Sequence, residues 1–300
     1  MKKICILKGG SAEREVSLMS AREISQALRE KGYEVFEHDY QAVQPFLDFL
    51  KTEKIDVVFN ALHGGEGEDG RISALLDLIK IPYTHSGHTA CAIAMDKLKT
   101  KFVADELGIK MAESFEMENP KNISTLPSYP MVVKPIDEGS SVGVYIIKTK
   151  QEWLETKDIL DINKKWMAEE FIPGRELTTA VVFDEALSVT ELIPSVEFYD
   201  YKAKYTDGIT KHTLPAKIPD EIFQKCKKWA LEIHKALGCR QTSRSDFRYD
   251  EEKNNLVFLE LNTHPGMTKL SLLPEQVMHE KKCSYGDFCE SLIKDALKRF

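Results

Sequence analysis

The stretch Leu256-Val257-Phe258-Leu259-Glu260-Leu261-Asn262-Thr263-His264-Pro265-Gly266-Met267-Thr268 runs from four apolar residues into polar ones and a Pro-Gly turn. The first four are short, apolar and suited to a pleat, which predicts a buried strand. Glu260 and Asn262 are two apart, so on an extended chain they share a face. Upstream, Asp246 belongs to another short stretch, Arg244-Ser245-Asp246-Phe247. If the two stretches pair as a hairpin, Asp246, Glu260 and Asn262 converge. Two carboxylates and an amide oxygen are hard donors that suit Mg²⁺, which usually shares its shell with phosphate oxygens. The plainer alternative is a solvated strand end, since most acids lie at the surface.

Composition narrows the class. A chain of 300 residues suits about two domains or three small lobes. Its hydrophobic share of 42% supports ordinary globular cores. No run approaches the roughly 18 apolar residues of a membrane span. Met1-Lys2-Lys3 before Ile4-Cys5-Ile6-Leu7 mimics a signal peptide, but Lys8-Gly9-Gly10 ends the apolar run, which reads as a first strand. The cysteines at 5, 91, 226, 239, 283 and 289 form no CxxC pair. That is neither a zinc pattern nor a disulfide framework, and it fits a reducing cytosol. Net charge is −7 with no basic stripe, which argues against nucleic acid as a partner.

After the first strand, Gly9-Gly10-Ser11 turns into a helix with Val16, Leu18, Ala21, Ile24, Ala27 and Leu28 at helical spacing. Strand, glycine turn and helix open a parallel α/β unit. Tyr33-Glu34-Val35-Phe36 is a second strand, and Asp56-Val57-Val58-Phe59-Asn60-Ala61-Leu62 a third that ends at His63-Gly64-Gly65. Ligands bind outside the carboxyl ends of such strands, so both glycine turns fall at the expected edge. The G-x-G-x-x-G spacing is absent, which argues against a dehydrogenase. Glu13 suits either a favoured charge at a helix start or a ligand contact. His63 beside two glycines suits either a close backbone approach or a satisfied structural histidine.

Farther along, residues 95–107 read as a helix capped by Gly108. Tyr129-Pro130-Met131-Val132-Val133-Lys134-Pro135 is a strand with a lysine at its end, followed by a loop holding Gly139, Ser140, Ser141 and Gly143. Free N–H groups and hydroxyls in such a loop can fold over phosphates, and the lysine supplies the cation. The Gly-Lys-Ser/Thr ending of a P-loop is missing, and a plain hairpin turn is the bland reading. In the strand 166–172, adjacent Glu169 and Glu170 must face opposite ways. Residues 180–183 and 187–193 read as paired strands. Residues 198–208, dense in aromatics, lysines and acids, read as a lid or as an exposed aromatic loop. An amphipathic helix spans 221–237, and a final helix ends at Phe300.

With these motifs in order, nearly the whole chain resembles the D-alanine–D-alanine ligases of the ATP-grasp superfamily. The resemblance rests on six segments in register: Gly9-Gly10-Ser11-Ala12-Glu13-Arg14-Glu15-Val16-Ser17; residues 63–70; Met95-Asp96-Lys97; Lys134-Pro135 with Glu138-Gly139-Ser140-Ser141-Val142-Gly143; Tyr199-Asp200-Tyr201-Lys202-Ala203-Lys204-Tyr205; and Glu260-x-Asn262-Thr263-x-Pro265-Gly266-Met267-Thr268.

It implies an α/β fold with α+β lobes: a Rossmann-like N-terminal parallel lobe over 1–95, a central ATP-grasp lobe over 96–178 and a C-terminal one over 179–300. It implies ATP-dependent joining of two D-alanines through a D-alanyl phosphate, for peptidoglycan precursors, in a cytoplasmic homodimer without nucleic-acid or membrane partners. ATP would lie between the last two lobes with two Mg²⁺ ions, or Mn²⁺ in their place. By resemblance, Glu169, Glu170, Phe171 and Ile172 surround adenine and Glu176 holds ribose. Lys97, Lys134, Ser141 and the lid residue Lys204 meet phosphates, and Asp246, Glu260 and Asn262 hold metal. Glu13, Ser140 and Tyr205 hold the first substrate, with His63 near it. Arg244 and the Gly266 N–H stabilise the oxyanion, and Ser271 and Leu272 take the second carboxylate. Departures from the family are the serine and threonine residues Thr242, Ser243 and Ser245, with His264 and Asp137. A different ATP-grasp carboxylate–amine ligase would share the metal and phosphate residues, but the Glu13, Tyr205 and Ser271-Leu272 set argues against it.

Overall fold

The computed structural model describes residues 2–140, 142–194 and 210–300, whose strands form three sheets. In the first, β1 (Lys3–Gly9) pairs in parallel with both β2 (Glu34–Tyr40) and β3 (Val57–Asn60). The helix α1 (Arg14–Glu30) buries Val16, Ala21, Ile24 and Leu28 along one stripe, as its spacing predicts. Ser17 ties the glycine turn in place: its hydroxyl accepts from Gly9 N at 2.9 Å and donates to Ala61 O at 2.7 Å. β2 runs past the apolar residues 33–36 to Tyr40. Ion pairs keep its charged half on the sheet, Lys8 with Glu37 at 2.6 Å and Arg14 with Asp39 at 2.5 Å. The helices α2 (Val43–Glu53), α3 (Arg71–Leu78) and α4 (His88–Met95) complete this region.

A second sheet holds β4 (Ser114–Met117), β5 (Met131–Pro135), β6 (Tyr145–Ile147) and β7 (Trp166–Glu170) in the antiparallel order β4-β7-β5-β6. α5 (Lys97–Glu106) leads into it, and α6 (Lys150–Ile159) lays the fully buried Trp153 against Met131, Val133 and Trp166. Asp96 caps α5 by accepting from Lys99 N at 3.0 Å.

The third sheet is antiparallel, ordered β10-β9-β8-β11-β12, from β8 (Arg175–Val182), β9 (Glu185–Pro194), β10 (Thr210–Thr213), β11 (Thr242–Asp250) and β12 (Asn255–Asn262). The chain enters it through Gly174, whose φ is +98°. A Cβ there would stand 2.2 Å from the Tyr249 carbonyl oxygen, so only glycine fits. α7 (Asp220–Ala236) covers one face with Ile222, Cys226, Ala230 and Ile233, packed on Phe247 and Phe258. α8 (Leu272–Lys281) and α9 (Tyr285–Arg299) follow. Phe288, Leu292 and Ile293 of α9 share one core with Ile4, Ile24 and Phe59, so the end of the chain packs on the first sheet.

Candidate active site

Neighbouring strands of the third sheet place four polar side chains in a square. Asp246 stands directly opposite Glu260, and Arg244 opposite Asn262. Opposed residues share a face, so all four point the same way. The Arg244 guanidinium forks onto Asp246, with Nε donating to Oδ1 at 2.9 Å and an Nη to Oδ2 at 2.7 Å. Thr178, the β8 partner of Asp246, donates to Oδ1 at 2.6 Å. The Asn262 amide oxygen accepts from His264 N at 2.7 Å.

This square is part of the wall of a cavity of about 530 Å³. Glu13 and His63 reach it from the loops after β1 and β3, and Lys97 and Ser140 from the middle of the chain. Glu176 joins from β8, and Gly266, Ser271 and Leu272 from the turn into α8. Two of the loops meet closely: a Cβ on Gly139 would stand 3.7 Å from Glu13 Oε1. Glu13 and Ser140 hold left-handed backbone, at φ 41° and 53°. The Ser271 hydroxyl accepts from Thr268 N at 3.1 Å and packs so near Gly266 that a Cβ there would stand 2.8 Å away.

The nucleotide-binding candidates divide. Lys97 Nζ lies 3.8 Å from Glu260 and donates to Glu138 O at 2.5 Å. Burial pushes its ammonium pKa below the ordinary value, against the pull of Glu260. Lys134 and Glu169 are not in the cavity wall. They form a buried pair at 2.5 Å between β5 and β7. Glu170 is exposed, Phe171 half-buried, and buried Ile172 packs with Ala112 and Val257. Ser141, Lys204, Tyr205 and the expected lid at 198–208 lie outside the described residues.

Three buried histidines cluster nearby, two of which, His63 and His264, also line the cavity. His264 lies 4.0 Å from His85 and 5.4 Å from His63, centroid to centroid. His63 Nε2 shares a hydrogen bond with the Ser20 hydroxyl at 3.0 Å. His85 Nδ1 shares one with Thr242 at 3.1 Å, while the His85 backbone N–H donates to Gln241 Oε1 at 2.7 Å. His234 meets Ser243 at 2.7 Å. Thr242 and Ser243 therefore have buried imidazoles as partners, which gives two of the unusual polar residues a physical reason. Nothing in the structure explains Ser245, whose buried hydroxyl has no hydrogen-bond partner.

Three contributors escaped the sequence reading. Thr178 holds Asp246 from a strand 68 residues away in the chain, with no local signal. Arg248 pairs with Glu176 at 3.4 Å, and its two-residue steps from Arg244 and Asp246 put it on their face. Lys101 lies 2.9 Å from Glu169, and its position one helical turn after Lys97 was the available signal.

Among the described residues no group of three or more His, Cys, Asp or Glu side chains is arranged to hold a metal ion. The square offers two carboxylates and one amide. No helix among the described residues is long and apolar enough to cross a membrane.

Residues 38–86 match the family model for the D-ala D-ala ligase N-terminus, and 103–294 that for the C-terminus. The chain is 49% identical over 306 residues to the D-alanine--D-alanine ligase of Zymomonas mobilis subsp. mobilis, covering 99% of this chain and 94% of that one. It is 44% identical over 307 residues to that of Gluconobacter oxydans, with both chains covered in full. Its fold matches the crystal structure of the Bacillus anthracis D-alanine--D-alanine ligase complexed with ATP at a TM-score of 0.84 and 26% identity, covering 99% and 98% of the two chains. A D-Ala:D-Ser ligase, VanG from Enterococcus faecalis, matches at 0.80 and 29%, covering 98% and 99%.

Proposed function

The chain belongs to the D-alanine–D-alanine ligase family, and from that premise we propose that it joins two D-alanines at the expense of ATP, supplying the dipeptide for peptidoglycan. The observation that carries the site assignment is the Arg244–Asp246–Glu260–Asn262 square in the wall of a cavity that loops from the whole chain enclose. The expected lobes are 1–95, 96–178 and 179–300; the third sheet reaches back to Arg175, where β8 begins, so the last boundary belongs at the Gly174 turn, and α9 lies back on the first lobe.

Glu13 takes the ammonium of the first D-alanine, and Ser140 with Tyr205 its remaining polar contacts. Held there beside His63, its carboxylate attacks the γ-phosphoryl group, and the bond to ADP breaks. Lys97, Lys134 and Lys204 offset the negative charge of the phosphates, with Ser140-Ser141 closing over them. Glu169 to Ile172 enclose the adenine and Glu176 the ribose. The amine of the second D-alanine, its carboxylate on Ser271 and Leu272, then attacks the acyl phosphate. Arg244 and the Gly266 N–H stabilise the oxyanion that develops, and phosphate leaves. The relatives at 44–49% identity named for D-alanine favour alanine over serine in the second position.

Asp246, Glu260 and Asn262 would hold Mg²⁺, or Mn²⁺ in its place, and the donor set fits. Asp246 Oδ2 accepts only one of the three hydrogen bonds on that carboxylate. It therefore keeps acceptor capacity, since a carboxylate has about four lone-pair sites. Glu260 is one-third open, at 33% side-chain exposure. Two Mg²⁺ ions would neutralise charge on the transferring phosphoryl group. The enzyme acts as a cytoplasmic homodimer.

The deciding experiment measures phosphate release from ATP and Mg²⁺ with D-alanine, D-serine and L-alanine in parallel, with chelator controls. Release with D-alanine and formation of the dipeptide support the assignment. A folded protein that binds ATP and releases phosphate with none of them overturns the substrate. Sedimentation of the same sample tests the dimer.

A further inference from the structure

Glu169 is a buried carboxylate between two buried lysines. It is 3% exposed, and Lys134 and Lys101 are each 6% exposed. Lys134 Nζ donates to Oε1 at 2.5 Å, and Lys101 Nζ lies 2.9 Å from Oε2. Burial alone would raise the carboxyl pKa, yet the two ammonium groups hold it below its ordinary value. The lysines differ in what else they can do. Lys101 also donates to Ala112 O at 2.9 Å, which pins it behind the pair. Lys134 is the last residue but one of β5, just ahead of the glycine-rich loop, where a phosphate would compete for it. Oε2 faces only the Lys101 ammonium among the described residues, and a carboxylate oxygen with a single cationic partner keeps acceptor capacity for a second donor.

We propose that Lys101 is a positioning residue for nucleotide-base selection: it stays with Glu169 as resident counter-ion when Lys134 turns to the phosphates, keeping the carboxylate ionised and aimed at an exocyclic amine. This rests on the assignment of Glu169 to the adenine pocket. An ionised carboxylate accepts from the amine at the purine 6-position and repels the carbonyl oxygen that guanine or hypoxanthine carries there. Without Lys101, bound nucleotide would leave Glu169 short of a cation. The buried carboxyl would then take up a proton, and a protonated carboxyl can donate to a carbonyl. The helix gives the arrangement its economy of sequence. Lys97 and Lys101 are one turn apart on α5, so one face sends one cation to the cavity and the other to Glu169.

The test compares ATP with inosine triphosphate, which has a carbonyl in place of the amine. Lys101→Met should raise KM for ATP about tenfold and shrink the ATP preference about tenfold, with kcat changed far less; Lys101→Arg should restore both. Lys101→Gln serves as the neutral variant should the methionine variant not fold. Equal losses with both nucleotides, or a fall in kcat alone, would overturn the proposal. Glu169→Gln is run alongside. If it collapses the preference while Lys101→Met does not, Lys101 is acquitted and the adenine assignment stands. If Glu169→Gln leaves the preference intact, the adenine assignment fails and the proposal falls with it.

Discussion

Asp246 and Glu260 are direct partners in the β11–β12 ladder, and the register slips by one residue immediately beyond them. On the far side of the slip, Phe247 faces Phe258, leaving Leu259 as the extra residue. The consequence is a change of face. Leu256 and Phe258 point into the core under α7, and without the bulge Glu260 and Asn262 would follow them by simple alternation. With it, Leu261 takes the core side, and Glu260 lines the cavity with Asn262.

Arg244 is the only member of that square that carries positive charge. Arg244→Ala should lower kcat by about 10²–10³-fold while leaving ATP affinity largely intact, in keeping with the loss of one oxyanion donor. Phosphate release and an equilibrium nucleotide titration check the two halves. A turnover number close to wild type would remove Arg244 from the chemistry.

Thr178 donates at 2.6 Å to the buried Asp246 carboxylate. Thr178→Val keeps the shape and deletes the donor. A hydrogen bond to a charged group contributes about 1.5–3 kcal/mol, so the Mg²⁺ concentration for half-maximal rate should shift by roughly tenfold or more. An unchanged Mg²⁺ titration would mean that Thr178 only fills space.

Burial, helped by His63 and Arg299, pushes His85 down to about 3 from its ordinary 6.5. Between those values the unfolded chain takes up a proton that the folded one refuses. Stability is therefore complete above pH 6.5 and declines as pH falls toward 3. At pH 5 the group should cost about 2 kcal/mol. Urea unfolding at pH 7 and pH 5 measures this, and His85→Gln should flatten the difference. Equal slopes for variant and wild type would contradict it.

Gly174 combines a φ of +98° with a carbonyl oxygen 2.2 Å from any added Cβ. Gly174→Ala should lower unfolding free energy by about 3 kcal/mol or more, from left-handed strain and forced separation of the turn from Tyr249. Thermal unfolding reports it. A melting temperature within a degree or so of wild type would show that the turn yields cheaply.

Much of this was legible in the chain itself, because local patterns answer to local physics. The apolar stripe of α1, the glycine turn at Gly9-Gly10 and the paired strands around Asp184 follow from periodicity and turn chemistry, and each is found in place. Spacing alone suggested that Asp246, Glu260 and Asn262 would meet if the stretches paired, and they pair. The motifs in register point to the family from the sequence alone.

Tertiary structure decided what depends on partners distant in sequence. It set the one-residue bulge that turns Glu260 to the cavity, since alternation cannot say where a ladder slips. It packed α9 onto the first sheet, more than 220 residues from the strands it covers, because apolar faces choose partners by shape and not by order. It also placed Lys101 and Lys134 on one buried carboxylate and gave Thr242 and Ser243 their histidine partners. Burying a charge or a hydroxyl is tolerable only where another part of the chain supplies its complement.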